Sequence, residues 1–574
     1  MGLKIRNFRK YIILICVLSV ISAAGFYYFE KDKKLPEASI FGAVVPHHNL
    51  VADQRAIVLS DLAKSTVQPK TIILLSPNHY SLGKGEIQTT SQDWQLGNGQ
   101  ISPNYDVVNF LTENNLATNE PASFINEHGI YNILGDIKDY FPESTLVPLI
   151  FKDVSQEKLS RINQGLLESC NKCLVIASVD FSHYQPALLS QLHDDLALRN
   201  LQTLNTTDIL SDTEVDSGPA LALLTMWVRD HNTSRFILKN HTNSGIIAQN
   251  PDIETTTHIF GWYEYGDKIA PEQSVSFMFG GDMMFARMIN RVFGNNFDNA
   301  FDNFGERVFW GTDAAIVNLE GAITGKPIAD NIQTNNFNFQ FSEKIVQTLS
   351  FLHINAVSLA NNHSDNAGIE GNTTTHSVLD RNNIQSFGSS TESNPLRIAQ
   401  FKGQGINLTV MGINLTFPGQ SAEIIVPQIL ELKKDPTMRI IIMPHWGKEY
   451  VSTHSPAQTK AAHAWIDAGA DLVIGSHPHV IQDTELYHNV PIIYSIGNFL
   501  FDQTFSEDTQ KGLLIAGKFT RSGLTFFAIP TQSISYRPQL MREGGKNEIL
   551  NSLYLPFKDF TRPTPAGTVI QIDK

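Results

Sequence analysis

Short apolar runs that stop abruptly at polar, metal-competent residues recur along this chain, and they limit its fold more than any other feature. In open α/β sheets ligands bind beyond the carboxyl ends of the strands, so residues at such stops are functional candidates. In the first half, Ala43-Val44-Val45 leads into Pro46-His47-His48, and residues 71–75 lead into Ser76-Pro77-Asn78-His79-Tyr80. Residues 174–177 lead into Ser178-Val179-Asp180-Phe181-Ser182-His183-Tyr184. Glu127-His128 precedes Gly129, where a helix is expected to start. In the second half, residues 274–279 lead into Gly280-Gly281-Asp282, residues 314–317 into Asn318-Leu319-Glu320, and residues 356–360 into Asn361-Asn362-His363-Ser364-Asp365. Residues 439–443 then lead into Pro444-His445-Trp446-Gly447, residues 472–475 into Ser476-His477-Pro478-His479, and residues 492–496 into Gly497-Asn498-Phe499. Strands alternating with helical stretches such as 457–468 predict an α/β protein with largely parallel sheets.

The two series are not repeats of each other. They predict two domains, residues 35–266 and 274–535, joined by a polar linker at 267–273. Residues 536–574 read as a C-terminal tail without legible chemistry, and the polar stretch 93–126 as a surface excursion. A hydrophobic content of 42% supplies full cores. A net charge of −14 without basic blocks argues against a nucleic-acid partner.

The N-terminus predicts a compartment. Lys4, Arg6, Arg9 and Lys10 precede an uncharged run at 11–29, long enough to cross a bilayer as a helix. The basic flank keeps such a tail cytoplasmic, and Phe26, Tyr27, Tyr28 and Phe29 would form the girdle at the far interface. Residues 1–34 are thus expected to be a tail and single membrane anchor, with the rest outside the cytoplasm. A cleaved signal peptide ending near Ser22-Ala23-Ala24 is the competing reading. Three cysteines cannot build a disulfide framework. Cys170-Asn171-Lys172-Cys173 predicts a small local disulfide in preference to a zinc or redox site.

Three imidazoles, His47, His79 and His183, follow different strands and together can bind Zn, Fe or Cu. Asp180 can join them or orient one of them, and Glu127 with His128 offers a further ligand or a general acid/base. The second series offers Asp282, Glu320, Asn362, His363, His445, His477 and His479, the mixture of carboxylate, amide and imidazole that Lewis-acid hydrolysis requires. The His477-Pro478-His479 spacing puts both rings on one side of an extended segment. His454, His463 and His488 lie away from strand ends and read as structural.

Pro46-His47, Pro77-Asn78-His79, Glu127-His128-Gly129-Ile130 and Ser178-Val179-Asp180-Phe181-Ser182-His183 resemble the Memo-like family, also called AmmeMemoRadiSam system protein B. The resemblance implies a fold similar to LigB-type class III extradiol dioxygenases, with His47, His79 and His183 lining a metal pocket. Ser217-Gly218-Pro219 occupies the place where that family often has a reactive Cys before Gly, and Asn132 stands near an expected Glu.

The order Gly281-Asp282, Glu320, Asn362-His363, His445, His477-Pro478-His479 resembles calcineurin-like metallophosphoesterases. The wording around it resembles the CapA family, named for poly-γ-glutamate capsule synthesis: Asn361-Asn362-His363, Pro444-His445-Trp446-Gly447-Lys448-Glu449-Tyr450, Gly475-Ser476-His477-Pro478-His479-Val480 and Ser495-Ile496-Gly497-Asn498-Phe499. The resemblance implies a metallophosphoesterase-like α/β sandwich holding a divalent metal such as Mn, Zn or Fe. Asp282, Glu320, Asn362, His445, His477 and His479 are its ligand candidates, and His363 the general acid. Trp446 and Asn498 are candidates for substrate or supporting contacts, with a core role for Trp446 as the rival. Met284 stands where the general phosphoesterase pattern has His, and Asn366 where many relatives have Asp.

The function this implies is envelope or capsule polymer synthesis, by metal-dependent hydrolysis or transfer on an anionic polymer or its precursor, alongside other capsule synthesis or export proteins. The rivals are a non-catalytic scaffold of an export complex, and oxidative metal chemistry in the first domain.

Overall fold

Val, Ile and Leu runs buried on both faces make central strands covered by helices, and the first domain is built this way. The computed structural model describes residues 40–573 except 295, 306, 325–336, 391–395, 417–419 and 543. The expected membrane anchor lies outside the described residues, among which no helix is long and apolar enough to cross a membrane.

The first sheet runs Arg235–Asn243, Thr255–Glu264, Ile40–Val45, Cys173–Ser178, Thr71–Pro77, Thr145–Phe151, Ile87–Thr89, Thr118–Asn119. Ile40–Val45, Cys173–Ser178 and Thr71–Pro77 are neighbouring parallel strands, with Val45 paired to Ser178. Residues just past each of them therefore emerge at one edge. Alternation along the strands divides the core. Ile72, Leu74 and Ile176 meet the helices Ala52–Ser65 and His128–Tyr140, while Ile73, Leu75 and Val175 meet Gln156–Ser169 and Gly218–Asp230.

The second domain packs two sheets face to face. The larger contains, in order, Gln385–Phe387, Ala356–Ser358, Ala314–Leu319, Ser274–Met283, Lys511–Thr520, Gly523–Ile534, Gly567–Asp573 and Thr561–Thr564. The smaller runs Ile398–Lys402, Asn407–Asn414, Met438–His445, Leu472–Ile474, Val490–Ile493, Thr484–Tyr487. Phe277, Phe279, Ile316, Val410, Ile441 and Ile474 fill the space between them. Parallel strands on both sheets carry the polar stops to one end. At that end Gly281 lies so close to its neighbour that a Cβ would sit 2.0 Å from the Gly497 carbonyl oxygen.

Three expectations are corrected. The sheets are mixed rather than largely parallel: antiparallel pairs flank each parallel centre, as where Ser274–Met283 meets Lys511–Thr520. The stretch 93–126 is packed, because Trp94, Ile101, Val108, Leu111 and Phe124 supply an apolar face that its Asn and Gln content conceals. The region after 536 is no tail. Arg537–Leu540 and Gly567–Asp573 both pair with Gly523–Ile534, so the second domain continues to residue 573.

The helix Ala187–Thr203 joins the domains. Leu189 and Leu192 enter a phenylalanine-rich core of the second domain, each worth about 2 kcal/mol of burial. Arg199 Nη1 donates to Asp313 Oδ2 at 3.0 Å, and Lys518 Nζ donates to Asp195 at 2.7 Å. Gly311 packs so tightly on His193 that a Cβ would fall 2.6 Å from that residue's own Cβ.

Candidate metal centres

At the first sheet edge, ligand atoms of His47, His79 and His128 lie within 4.8 Å of one another, as do those of His47, Asp180 and Asp216. His47 Nδ1 faces the Ser178 carbonyl oxygen at 3.2 Å, which fixes Nε2 as the free nitrogen. That Nε2 lies 3.2 Å from Asp180 Oδ2 and 3.4 Å from Asp216 Oδ2. Glu127 caps the helix His128–Tyr140, accepts from the His79 backbone N–H at 3.0 Å, and holds His79 Nδ1 at 2.5 Å. It is a positioning residue that turns His79 Nε2 toward Asp216, 3.9 Å away.

The third imidazole beside His47 and His79 is His128, not His183. After Asp180 the chain turns, and His183 opens the short strand His183–Gln185, which pairs with Thr255–Glu264 and sets it beside the cluster, its charge acting on Asp180 but its ring in neither close group. His183 instead lines the adjoining cleft.

In the second domain Asp282, Glu320 and His445 form one close group, and Glu449, His477 and His479 another. His477 Nδ1 is 3.2 Å from His445 Nε2, which is 2.9 Å from Asn362 Oδ1. His479 Nδ1 is 2.9 Å from Asn498 Oδ1 and 3.3 Å from Asp282 Oδ2. His363 Nε2 is 3.8 Å from Glu320 Oε1, and its Nδ1 meets Asn366 Oδ1 at 3.0 Å. Asn318 bridges the set, donating to Asp282 at 2.8 Å and accepting from Asn361 at 3.0 Å.

The two rings of His477-Pro478-His479 do not converge by strand alternation. Both histidines have left-handed backbone, φ 96° and 58°, a costly conformation that clusters at functional sites. The loop is held by the His477 N–H on Asp282 at 3.2 Å and the Tyr450 N–H on the Pro478 carbonyl at 2.8 Å.

The electrostatics favour a cation at both centres. Burial pushes the Glu320 carboxyl up to about 8 and drives the His477 ring down to about 4. Burial alone would lower His479, but Glu320 and Asp282 outweigh it and raise the ring to about 9. Both oxygens of Glu320 are buried without a hydrogen-bond partner. In the first centre burial, then the Asp180 charge, pushes Asp216 well up, and its Oδ1 is also unpartnered. Buried polar atoms of this kind ordinarily find partners. The donor sets thus fit a divalent ion: His47, His79, His128, Asp180 and Asp216 would hold it in the first centre. Asp282, Glu320, Asn362, His445, His477 and His479 would hold it in the second. When bound there, such an ion supplies Lewis-acid polarisation and an acidified water.

Comparison with known proteins separates the two halves. Residues 26–252 match the family described as Memo-like protein, and residues 276–503 match the family described as bacterial capsule synthesis protein PGA_cap. A Memo-like domain precedes a PGA_cap domain. The chain is 26% identical over 310 residues to "PGA biosynthesis protein CapA" of Bacillus subtilis, covering 51% of this chain and 81% of that protein. It is 25% identical over 253 residues to "Capsule biosynthesis protein CapA" of Bacillus anthracis, covering 41% of this chain and 60% of that protein. A "MEMO1 family protein" of Caldivirga maquilingensis is 24% identical over 219 residues, 36% of this chain and 77% of its own length.

In the PGA_cap domain Trp446 is core rather than substrate contact. It is buried, stacks on Trp465 and Tyr494, and donates to the Tyr494 carbonyl at 2.8 Å. Half-exposed Tyr450, stacked toward His479 at 6.2 Å, faces the centre from the open side, while buried Phe501 and Phe339 pack on His479 and His363 at 4.7 Å and 4.1 Å. Met284 is buried, with its sulfur accepting the Ala286 N–H. His454 and His463 pair with Asp483 and Glu485 and stack on Tyr494 and Tyr487, as structural histidines do. Sequence reasoning passed over Glu449 and Asp216. Glu449 lies in the same strand-end loop as His445, and Asp216 directly precedes the Ser-Gly that replaces the Memo-like Cys-Gly, so both left a signal. Cys170 and Cys173 form a disulfide at the turn before Cys173–Ser178.

Proposed function

We propose that this is a capsule or envelope polymer biosynthesis protein whose PGA_cap domain uses a divalent metal to hydrolyse or transfer at an anionic, γ-glutamyl-type polymer or its precursor. The observation that carries it is Glu320: a buried carboxylate with two unpartnered oxygens, ringed by His363, His479 and Asp282. Such a group is costly unless a cation completes it. His363, fixed through Nδ1 by Asn366, offers Nε2 to a leaving oxygen. The basic flank and apolar run at 11–29 support a single-pass anchor with both domains outside the cytoplasm, and the Cys170–Cys173 disulfide suits that compartment.

The test is full-length protein, loaded with Mn or Zn, on phosphodiester and γ-glutamyl substrates. Turnover lost in Glu320→Gln is expected. Absence of turnover, with metal-free protein still supporting capsule formation, would replace the enzyme by a scaffold. Met284 favours that second reading, since a thioether bonded to Ala286 stands where a metal-binding His is usual in phosphoesterases. A reporter fused after Lys574 should be active only if it works outside the cytoplasm.

A further inference from the structure

The candidate metal centre of the Memo-like domain meets, at His79 and Asp216, a cleft of about 1550 Å³ that both domains line. His79, His183, Gln185 and Asp216 form the Memo-like wall, and Arg307 and Trp310 stand on the PGA_cap side. The domains are locked by the Ala187–Thr203 helix and its ion pairs, so the opposing walls belong to one surface.

We propose that this cleft is one composite site, in which Arg307 and Trp310 of the PGA_cap domain select an acidic peptide for the Memo-like metal cluster. Four polar atoms of cleft-lining residues have no hydrogen-bond partner: His183 Nδ1, Gln185 Oε1, Asp216 Oδ1 and Trp310 Nε1. Leaving such an atom unpaired costs about 1–3 kcal/mol, and all four are shielded within the cleft wall, so a ligand completes their bonding as the neighbouring side chains turn aside. Their chemistry is mixed. Gln185 offers an acceptor, which suits an amide N–H group, while Asp216 stays with the metal centre at the cleft wall. Trp310 offers an N–H donor, and Arg307 a cation, which suit carboxylates.

Arg307 is built into the wall. Its guanidinium lies 5.3 Å from the centre of the Trp310 ring, and Trp310 stacks in turn on His353 at 3.5 Å. Among the described residues it forms no ion pair, and its charge reaches Asp216 and His183 on the opposite wall, so it looks across the cleft. A stacked guanidinium loses little freedom on binding and recognises a carboxylate in its plane. A ligand with both amide N–H and carboxylate groups is an acidic peptide, and a γ-glutamyl chain meets that description. This identification of the ligand rests on the capsule-polymer reading above. The two-domain geometry does not depend on it.

Titration calorimetry of the full-length metal-loaded protein with a short γ-glutamate oligomer tests the proposal. Arg307→Ala is expected to weaken binding at least tenfold, Arg307→Lys less, and Trp310→Phe, which keeps the ring and loses the N–H, several-fold. A γ-glutamine oligomer, neutral along its chain, should bind at least tenfold more weakly than the acidic one. Unchanged affinity in both Arg307→Lys and Trp310→Phe, with folding verified by circular dichroism, would overturn the composite site, as would wild type that fails to bind. Binding that follows Glu320→Gln and ignores Arg307→Ala would also overturn it, by placing the oligomer at the PGA_cap centre, and would leave the proposed hydrolase intact.

Discussion

Nε2 of His479 lies 3.7 Å from Oε1 of Glu320, too long for a hydrogen bond, and among the described residues neither Glu320 oxygen has a hydrogen-bond partner. A carboxyl raised from 4.5 to about 8 subtracts stability from the folded state as pH climbs between those values, because the fold disfavours its ionised form. In metal-free protein at pH 8, Glu320→Gln should therefore raise the melting temperature, by roughly 1–2 °C for about 1 kcal/mol. With Mn or Zn present the order should reverse. Wild type gains about 2.7 kcal/mol at metal a hundredfold above its dissociation constant, and the variant gains much less. Thermal melts with and without metal decide it. A variant stabilised by metal as strongly as wild type would remove Glu320 from the centre.

The cluster at the first sheet edge distinguishes two histidines that look alike in sequence. In a background carrying Glu320→Gln and His477→Ala, to disable the PGA_cap centre, His47→Ala and His128→Ala should each cut bound metal by tenfold or more. His183→Ala should retain it, since His183 belongs to neither close group. Elemental analysis of the purified variants reads the difference directly. Metal lost with His183 and kept without His128 would restore the His47, His79, His183 set.

His353 supplies a pH dependence away from both centres. Burial holds its ring near 4 instead of 6.5, against the Trp310 face. A folded-state value below the unfolded one gives stability that is present above pH 6.5 and lost as pH falls toward 4. The loss is on the order of 1–3 kcal/mol by the lower end of that range. His353→Asn keeps a residue tolerant of the left-handed backbone at this position, φ 61°, and cannot titrate. Urea melts at pH 7.5 and pH 5 should show a smaller difference for the variant than for wild type.

The Cys170–Cys173 disulfide closes a very short loop, so the chain-entropy gain is on the order of 1–2 kcal/mol. The double Ser variant should melt only a few degrees lower and keep its metal. A collapse of the whole first domain on reduction would show that the bridge holds more than the turn before Cys173–Ser178.

Strand ends carrying Asp282, Glu320, Asn362, His445 and His479 were legible in the sequence because burial imposes it: a strand covered on both faces must be apolar until it leaves the sheet, and the next polar residue is then exposed to a ligand. The same logic located His47, His79 and Asp180. It failed where position depends on what lies across space. His183 sits the right distance after its strand, yet pairing of His183–Gln185 with Thr255–Glu264 sets it outside both close groups, and nothing local records that partner. His128 enters because Glu127 caps a helix against the His79 loop. Trp446 follows the ligand candidate His445 in sequence and still points into the core, since the stack with Trp465 and Tyr494 exists only after the sheet has formed. The final strands of the chain look like a tail because each is short and set among Pro, Gly and Asn, and only pairing with Gly523–Ile534 gives Arg537–Leu540 and Gly567–Asp573 a place. The shared cleft is the furthest from any local signal: Arg307 and His183 are brought together by the packing of one helix, Ala187–Thr203, against a phenylalanine core in the other domain.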